Sequence, residues 1–92
     1  YLSWSLNKEA FAFVIYYEQR TFSSSLKYTE KWTQKLIDSA LKHKGTFYLP
    51  YLKHATKEQF KHAYPNSTQF LKVKKQYDPH TIFQNALLNK YI

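Results

Sequence analysis

AFAFVIYYE, residues 10–18, is the stretch on which the expected fold turns. Apolar side chains fill both alternating sets: Phe11, Phe13, Ile15 and Tyr17 on one, Ala12, Val14 and Tyr16 on the other. β-Branched and aromatic residues dominate it, the pattern of a central strand covered on both faces. Trp4 and Leu6 extend the pattern toward the N-terminus. Such a strand needs neighbours on both sides, and the chain offers one candidate, TFYLPYL at 46–52. Pro50 lies inside that run and cannot donate a ladder hydrogen bond, so this second strand is an edge or bends there. Two strands alone make a poor sheet. The expected fold is therefore α+β, with an antiparallel or mixed sheet that this chain leaves incomplete.

Helical signals occupy the remaining sequence. Between 29 and 44, Trp32, Leu36, Ile37, Ala40 and Leu41 recur at helical spacing, with Thr29 as N-cap and Gly45 as the residue past the end. The serines Ser23, Ser24 and Ser25 ahead of it read as a loop. Thr56 and Gln59 form a capping-box pattern for a short helix that stops before Pro65. Asn66 or Ser67 caps a third helix with Phe70, Val73, the Lys74 stem and Tyr77 on its apolar face, ended by Asp78-Pro79. A tail at 81–92 keeps Ile82, Phe83, Leu87, Leu88 and Tyr91, enough to dock as a short helix. The expected order is strand, helix, strand, helix, helix, tail.

Composition narrows the function classes. The chain has 92 residues, 43% of them hydrophobic and 20% aromatic, a heavy load of rings for so thin a core. Some rings must lie at the surface, where a large apolar patch marks an interface or ligand groove. There is no cysteine, hence no disulfide, no thiolate chemistry and no cysteine-based zinc site. The four histidines, His43, His54, His62 and His80, are scattered without companions at ligand spacing, so no metal is expected. A net charge of +8 can draw a chain to nucleic acid or another polyanion, and an independent basic binding module is the alternative reading. Base-specific contacts lean on arginine, however, and Arg20 is the only one. With a single glycine there is no loop to cradle a dinucleotide pyrophosphate. No methionine is present and no leader precedes Tyr1, so the sequence reads as a piece of a longer chain. No apolar run is long enough to cross a bilayer, and the expected compartment is the cytoplasm.

An ordered set of short motifs carries a resemblance. Tyr48-Leu49-Pro50-Tyr51-Leu52-Lys53-His54-Ala55-Thr56 is followed by Ala63-Tyr64-Pro65, then Phe70-Leu71 with Lys74 and Lys75, then Tyr77-Asp78-Pro79 and Phe83-Gln84-Asn85. This series resembles the C-terminus of FAD-linked oxidases of the vanillyl-alcohol-oxidase superfamily, nearest the aldonolactone and alditol oxidases and decaprenylphosphoryl-ribose oxidase. It covers 46–92 well, and 11–19 with the following helix more loosely. The resemblance implies a two-domain enzyme in which an N-terminal domain, absent from this chain, binds most of the FAD. Residues 1–78 would be the last part of the substrate (cap) domain, and 79–92 a tail returning to the FAD-binding domain. That domain and a small-molecule substrate are the implied partners, with self-association through an uncovered strand as a further one.

The implied reaction is hydride transfer from an alcohol or sugar-like substrate to the flavin. Charge grows on one flavin edge during reduction, and a nearby cation or donor stabilises it. In the relatives the motif strand ends in a lysine, and Tyr51 stands at that position. A phenol donates one hydrogen bond but brings no charge. Either Tyr51 takes a weaker donor role, or Lys53 or His54 supplies the charge from a shifted position. Tyr48 matches the first position of the motif and, with Asn85, is the implied cofactor contact; capping the tail helix is the other role open to Asn85. In a regular strand Tyr48 and His54 share one face and Tyr51 and Lys53 the other, unless Pro50 creates a bulge.

Overall fold

The structure, a computed structural model, describes residues 2, 3, 5, 9–50 and 53–92, and among these every regular element is helical. The order is α1 (Ser23–Lys42), α2 (Lys57–Ala63), α3 (Ser67–Tyr77) and α4 (Ala86–Tyr91). The α+β expectation is therefore wrong for the described residues. Residues 10–18 form neither strand nor helix, and their rings face outward: Phe13 is 84% exposed and Tyr16 94%. Strand preference measures how well a side chain fits a pleated, half-covered surface, and no described segment pairs with this one. Residues 46–50 are likewise irregular, which removes the second strand. The extension through Trp4 and Leu6, and the end of the second strand at Tyr51 and Leu52, lie outside the described residues.

Helix α1 begins seven residues ahead of the expected start. Phe22 is its N-cap, with extended backbone and no side-chain cap bond, and Ser23, Ser24 and Ser25 form the first turn rather than a loop. Thr29 is not the cap. It is buried inside the helix, where its Oγ1 donates to the Ser25 carbonyl at 3.0 Å. That i−4 bond hides a hydroxyl that sequence alone assigns to a cap. At the far end Gly45 N–H donates to Ala40 O at 2.8 Å and Lys44 N–H to Leu41 O at 3.1 Å, a Schellman closure. The left-handed residue is Lys44 (φ 58°), one position ahead of the glycine expected to supply it.

The shorter helices follow their sequence signals. Thr56 and Gln59 make the capping box in both directions, at 3.0 and 3.1 Å. Helix α2 stops at Ala63, before Pro65, and α3 stops at Tyr77, before Asp78-Pro79. Asn66 occupies the N-cap of α3 without a side-chain bond. Asn85 caps α4, its Oδ1 accepting from Leu88 N–H at 2.9 Å.

Helix α2 packs against both α1 and α4. The core is Ile37 of α1, Phe60 and Ala63 of α2, Tyr91 of α4, and Ala55 and Tyr64 just before and just after α2, with Leu2, Leu41, Phe47, Leu49 and Leu87 packed around it. Phe60 stacks on Tyr91 with centroids 4.8 Å apart and planes within 10°, and Phe47 meets Tyr64 edge-on at 5.7 Å. Offset and edge-to-face rings of this kind each contribute about 0.5–1.5 kcal/mol beyond burial. Of the apolar face expected for α3, Phe70, Val73 and the Lys74 stem are half-buried and Tyr77 is 79% exposed. The accessible surface is 7813 Å², against about 5,700 Å² for a compact monomer of this mass.

Candidate functional site

The segment between α1 and α2 carries four of the five residues singled out by sequence. Its described residues between 46 and 56 have no regular structure, so no ladder satisfies their backbone. Side chains do so instead, and they come from three helices and the α2–α3 turn. The Tyr64 hydroxyl donates to the Phe47 carbonyl. Lys90 of α4 donates through Nζ to the Lys53 carbonyl. Gln34 of α1 donates through Nε2 to the His54 carbonyl at 2.8 Å. Gln59 of α2 accepts from Thr56 N–H at 3.0 Å. Where this irregular segment packs against the core it needs such partners, because an unmatched buried backbone group costs as much as a lost hydrogen bond.

Gln59 is the hub of this scheme and is buried. Its carbonyl serves the cap, while its Nε2 donates to Gln34 O at 2.9 Å and to Asp38 Oδ1 at 2.7 Å. Every hydrogen of the amide is used. Gln34 in turn reaches back, its Nε2 also 3.3 Å from Glu30 Oε1. Sequence reasoning identified Gln59 only as a cap and missed Gln34 entirely. The available signal was spacing: Gln34, Ile37 and Leu41 share one face of α1, so a polar residue stands on the apolar stripe.

The candidates themselves fall into distinct settings. His54 is half-buried, and its Nε2 is a buried atom with no hydrogen-bond partner. Lys53, beside it, has an exposed side chain. Tyr48 is 59% exposed. Tyr51 lies outside the described residues. Asn85 is exposed and stands at the opposite end of α4 from Lys90, about 7.5 Å of helix rise away. The structure thus brings Lys53 and His54 together on a braced segment and leaves Asn85 apart from them. Strand alternation does not apply to Tyr48, Lys53 and His54, because no strand forms among the described residues.

Burial tunes the hydroxyls that line the core around this segment. Tyr64 is pushed above the usual phenol range by loss of solvent, opposed by a hydrogen bond with the Thr46 side chain. Tyr91 is raised by burial, against the pull of the Ala55 backbone and with a smaller push from the Glu30 carboxylate. Its hydroxyl reaches no partner at hydrogen-bonding geometry.

At the other side of α3, Asp78 organises the Tyr77-Asp78-Pro79 turn. Its Oδ2 lies 2.7 Å from Lys74 Nζ and accepts from Phe83 N–H at 3.0 Å, while Oδ1 accepts from Ile82 N–H at 2.8 Å. The Lys74 hydrogen bond, joined by those two amides, holds its carboxyl below the usual range despite burial. A separate open cleft of about 310 Å³ is lined by Tyr17, Glu18, Arg20, Ser24, Ser25 and Tyr28 among others, and by none of the five candidates.

Two comparisons with known proteins, one against curated proteins and one against solved structures, found no match. A family model, described as ALO, D-arabinono-1,4-lactone oxidase, matches residues 7–91. That span takes in the 10–18 stretch, the braced segment and the Asp78 turn, nearly the whole chain. It agrees with the resemblance read from the ordered motifs, and the chain belongs to this aldonolactone oxidase family of the FAD-linked oxidase superfamily.

Proposed function

We propose that the chain is the C-terminal substrate-domain part of an FAD-dependent oxidoreductase that oxidises a sugar-like alcohol of the aldonolactone class. The family match over residues 7–91 carries this reading. The exposed surface supports it: about 2,100 Å² lies open beyond what a compact monomer of this mass shows, and Phe11, Phe13 and Tyr16 are among the exposed rings. Residues 1–78 would complete the substrate domain, and 79–92 would return toward the FAD-binding domain.

The fit of these residues to a flavin divides by part of the cofactor. Gly45, the only glycine, closes α1 and has Ala40 O 3.0 Å from where a Cβ would stand, so it offers no cradle for a pyrophosphate. His54 fits a different role, because its orphaned buried Nε2 suits a hydrogen-bonding edge such as an isoalloxazine presents. FAD, when bound, supplies the hydride acceptor. His54 would donate to, or take a proton from, the group placed against Nε2. Lys53 would bring positive charge beside it, and Tyr48 and Asn85 would contact the cofactor or its domain. Tyr51, at the position where relatives carry lysine, would add a neutral donor.

The test uses the flavoprotein that contains this chain. Rapid-mixing measurements of flavin reduction under anaerobic conditions should show His54→Gln and Lys53→Met each slowing the step by about 10- to 100-fold, the range of one electrostatic or proton-transfer group. Unchanged reduction in both variants would remove the site assignment. The 92-residue chain alone, mixed with FAD and an aldonolactone, should give no turnover. Turnover by that chain would overturn its reading as one part of a larger active site.

A further inference from the structure

Two consecutive carbonyls, those of Lys53 and His54, are gripped by side chains from two different helices, Lys90 of α4 and Gln34 of α1. This is an unusual place to invest side-chain donors. Lys53 is exposed, and an exposed carbonyl can be served by water. His54 keeps its ring Nε2 buried and unpartnered while its own carbonyl is held at 2.8 Å. A buried unpaired polar atom is costly and persists where surrounding structure fixes it in place. We infer that Gln34, assisted by Lys90, is a positioning residue whose function is to fix the peptide of residues 53–54 and so aim the His54 imidazole. The inference rests on the proposed role of His54 and adds the device that makes it effective.

The chemistry of the grip supports a positional role rather than general packing. Gln34 presents an amide N–H₂ whose two hydrogens face Glu30 Oε1 and His54 O, so the Glu30 carboxylate orients the donor. Its own carbonyl meanwhile receives Gln59 Nε2, which anchors this turn of α1 to α2 without using the Gln34 side chain. Removing the Gln34 side-chain donor therefore frees the His54 peptide while leaving the α1–α2 attachment in place. A misplacement of about 1 Å in a reacting group costs up to about 100-fold in rate.

The experiment compares Gln34→Met, which keeps length without a donor, with Gln34→Lys, which restores an N–H donor at similar reach, in the flavoprotein containing this chain. Two readouts are taken: amide hydrogen exchange of residues 53–56, and the rate of flavin reduction at saturating substrate. Gln34→Met should raise exchange in 53–56 at least 10-fold, leave FAD content unchanged, lower the thermal midpoint by no more than a few degrees, and slow reduction about 10-fold; Gln34→Lys should recover most of the exchange and rate effects. Unchanged exchange in Gln34→Met overturns the inference. So does raised exchange with normal flavin reduction when His54→Gln is slow, because the grip would then be structural only. If His54→Gln is also normal, the proposed site fails while the exchange result still reports on the grip.

Discussion

Gln59 Nε2 donates to the Gln34 carbonyl at 2.9 Å, and Gln34 Nε2 donates to the His54 carbonyl at 2.8 Å. Two glutamines on neighbouring helices thus form a relay from the start of α2, across α1, to the segment that bears the candidate residues. Gln59 also joins Asp38 at 2.7 Å and closes its own capping box. Gln59→Ala removes a cap partner and the two bonds that tie α2 to the Gln34 carbonyl and the Asp38 carboxylate. It should cost about 2–3 kcal/mol in urea unfolding.

The two buried core tyrosines should respond oppositely to loss of the hydroxyl. Tyr64 donates to the Phe47 carbonyl, so Tyr64→Phe strands that acceptor and should cost about 1–2 kcal/mol. The Tyr91 hydroxyl meets no partner at hydrogen-bonding geometry and feels only a weak pull from the Ala55 backbone, so Tyr91→Phe keeps the stack on Phe60 and should be neutral or stabilising by up to about 1 kcal/mol. Both phenols are raised, so each favours the folded state below the ordinary phenol range and that preference is lost as pH climbs above it. Alkaline unfolding followed by circular dichroism should start at higher pH in Tyr91→Phe than in the unaltered chain.

Asp78 has a folded-state carboxyl below its ordinary value, held there first by Lys74. A lowered carboxyl favours the folded state above the unfolded value and loses that contribution as pH falls through the folded one. Acidification below about pH 4 should therefore release the Ile82 and Phe83 amides first. Hydrogen exchange at those two amides, measured from pH 6 downward and corrected for intrinsic rates, should rise before exchange in α1. Asp78→Asn should abolish the difference.

Lys44 occupies a left-handed conformation that L side chains adopt at a cost, and glycine adopts freely. Lys44→Gly should stabilise by about 0.5–1 kcal/mol in thermal unfolding, the net of relieved strain and greater unfolded-state freedom. Gly45→Ala should destabilise, since its new Cβ would meet the Ala40 carbonyl at 3.0 Å. The reverse order of effects would mean the Schellman closure is misassigned.

The helices were legible where local chemistry determines them. Thr56 with Gln59 marked α2, Pro65 and Asp78-Pro79 marked two ends, and spacing found the Ile37 and Leu41 face. Residues 10–18 were misread because their composition reports a preference for a covered, pleated surface, and pairing is a non-local property that composition does not contain. Thr29 misled for a similar reason: a threonine bonding back to Ser25 looks, in sequence, the same as one capping a helix. Motif order is what singled out the candidate residues. The grip on their backbone was not legible, since Gln34 and Lys90 lie 20 and 37 positions from the carbonyls they hold.

The tie between Gln59 and α1 also bears on how the chain collapses. Its partners Asp38 and Gln34 precede it by only 21 and 25 positions, so the loop to be closed is short and its entropy cost modest. Helix pairs joined by such near contacts assemble early, ahead of elements that depend on distant ones. Kinetic φ-values should accordingly be high for Ile37 and Gln59 and low for Lys90, making the α1–α2 pair the nucleus on which the braced segment later settles.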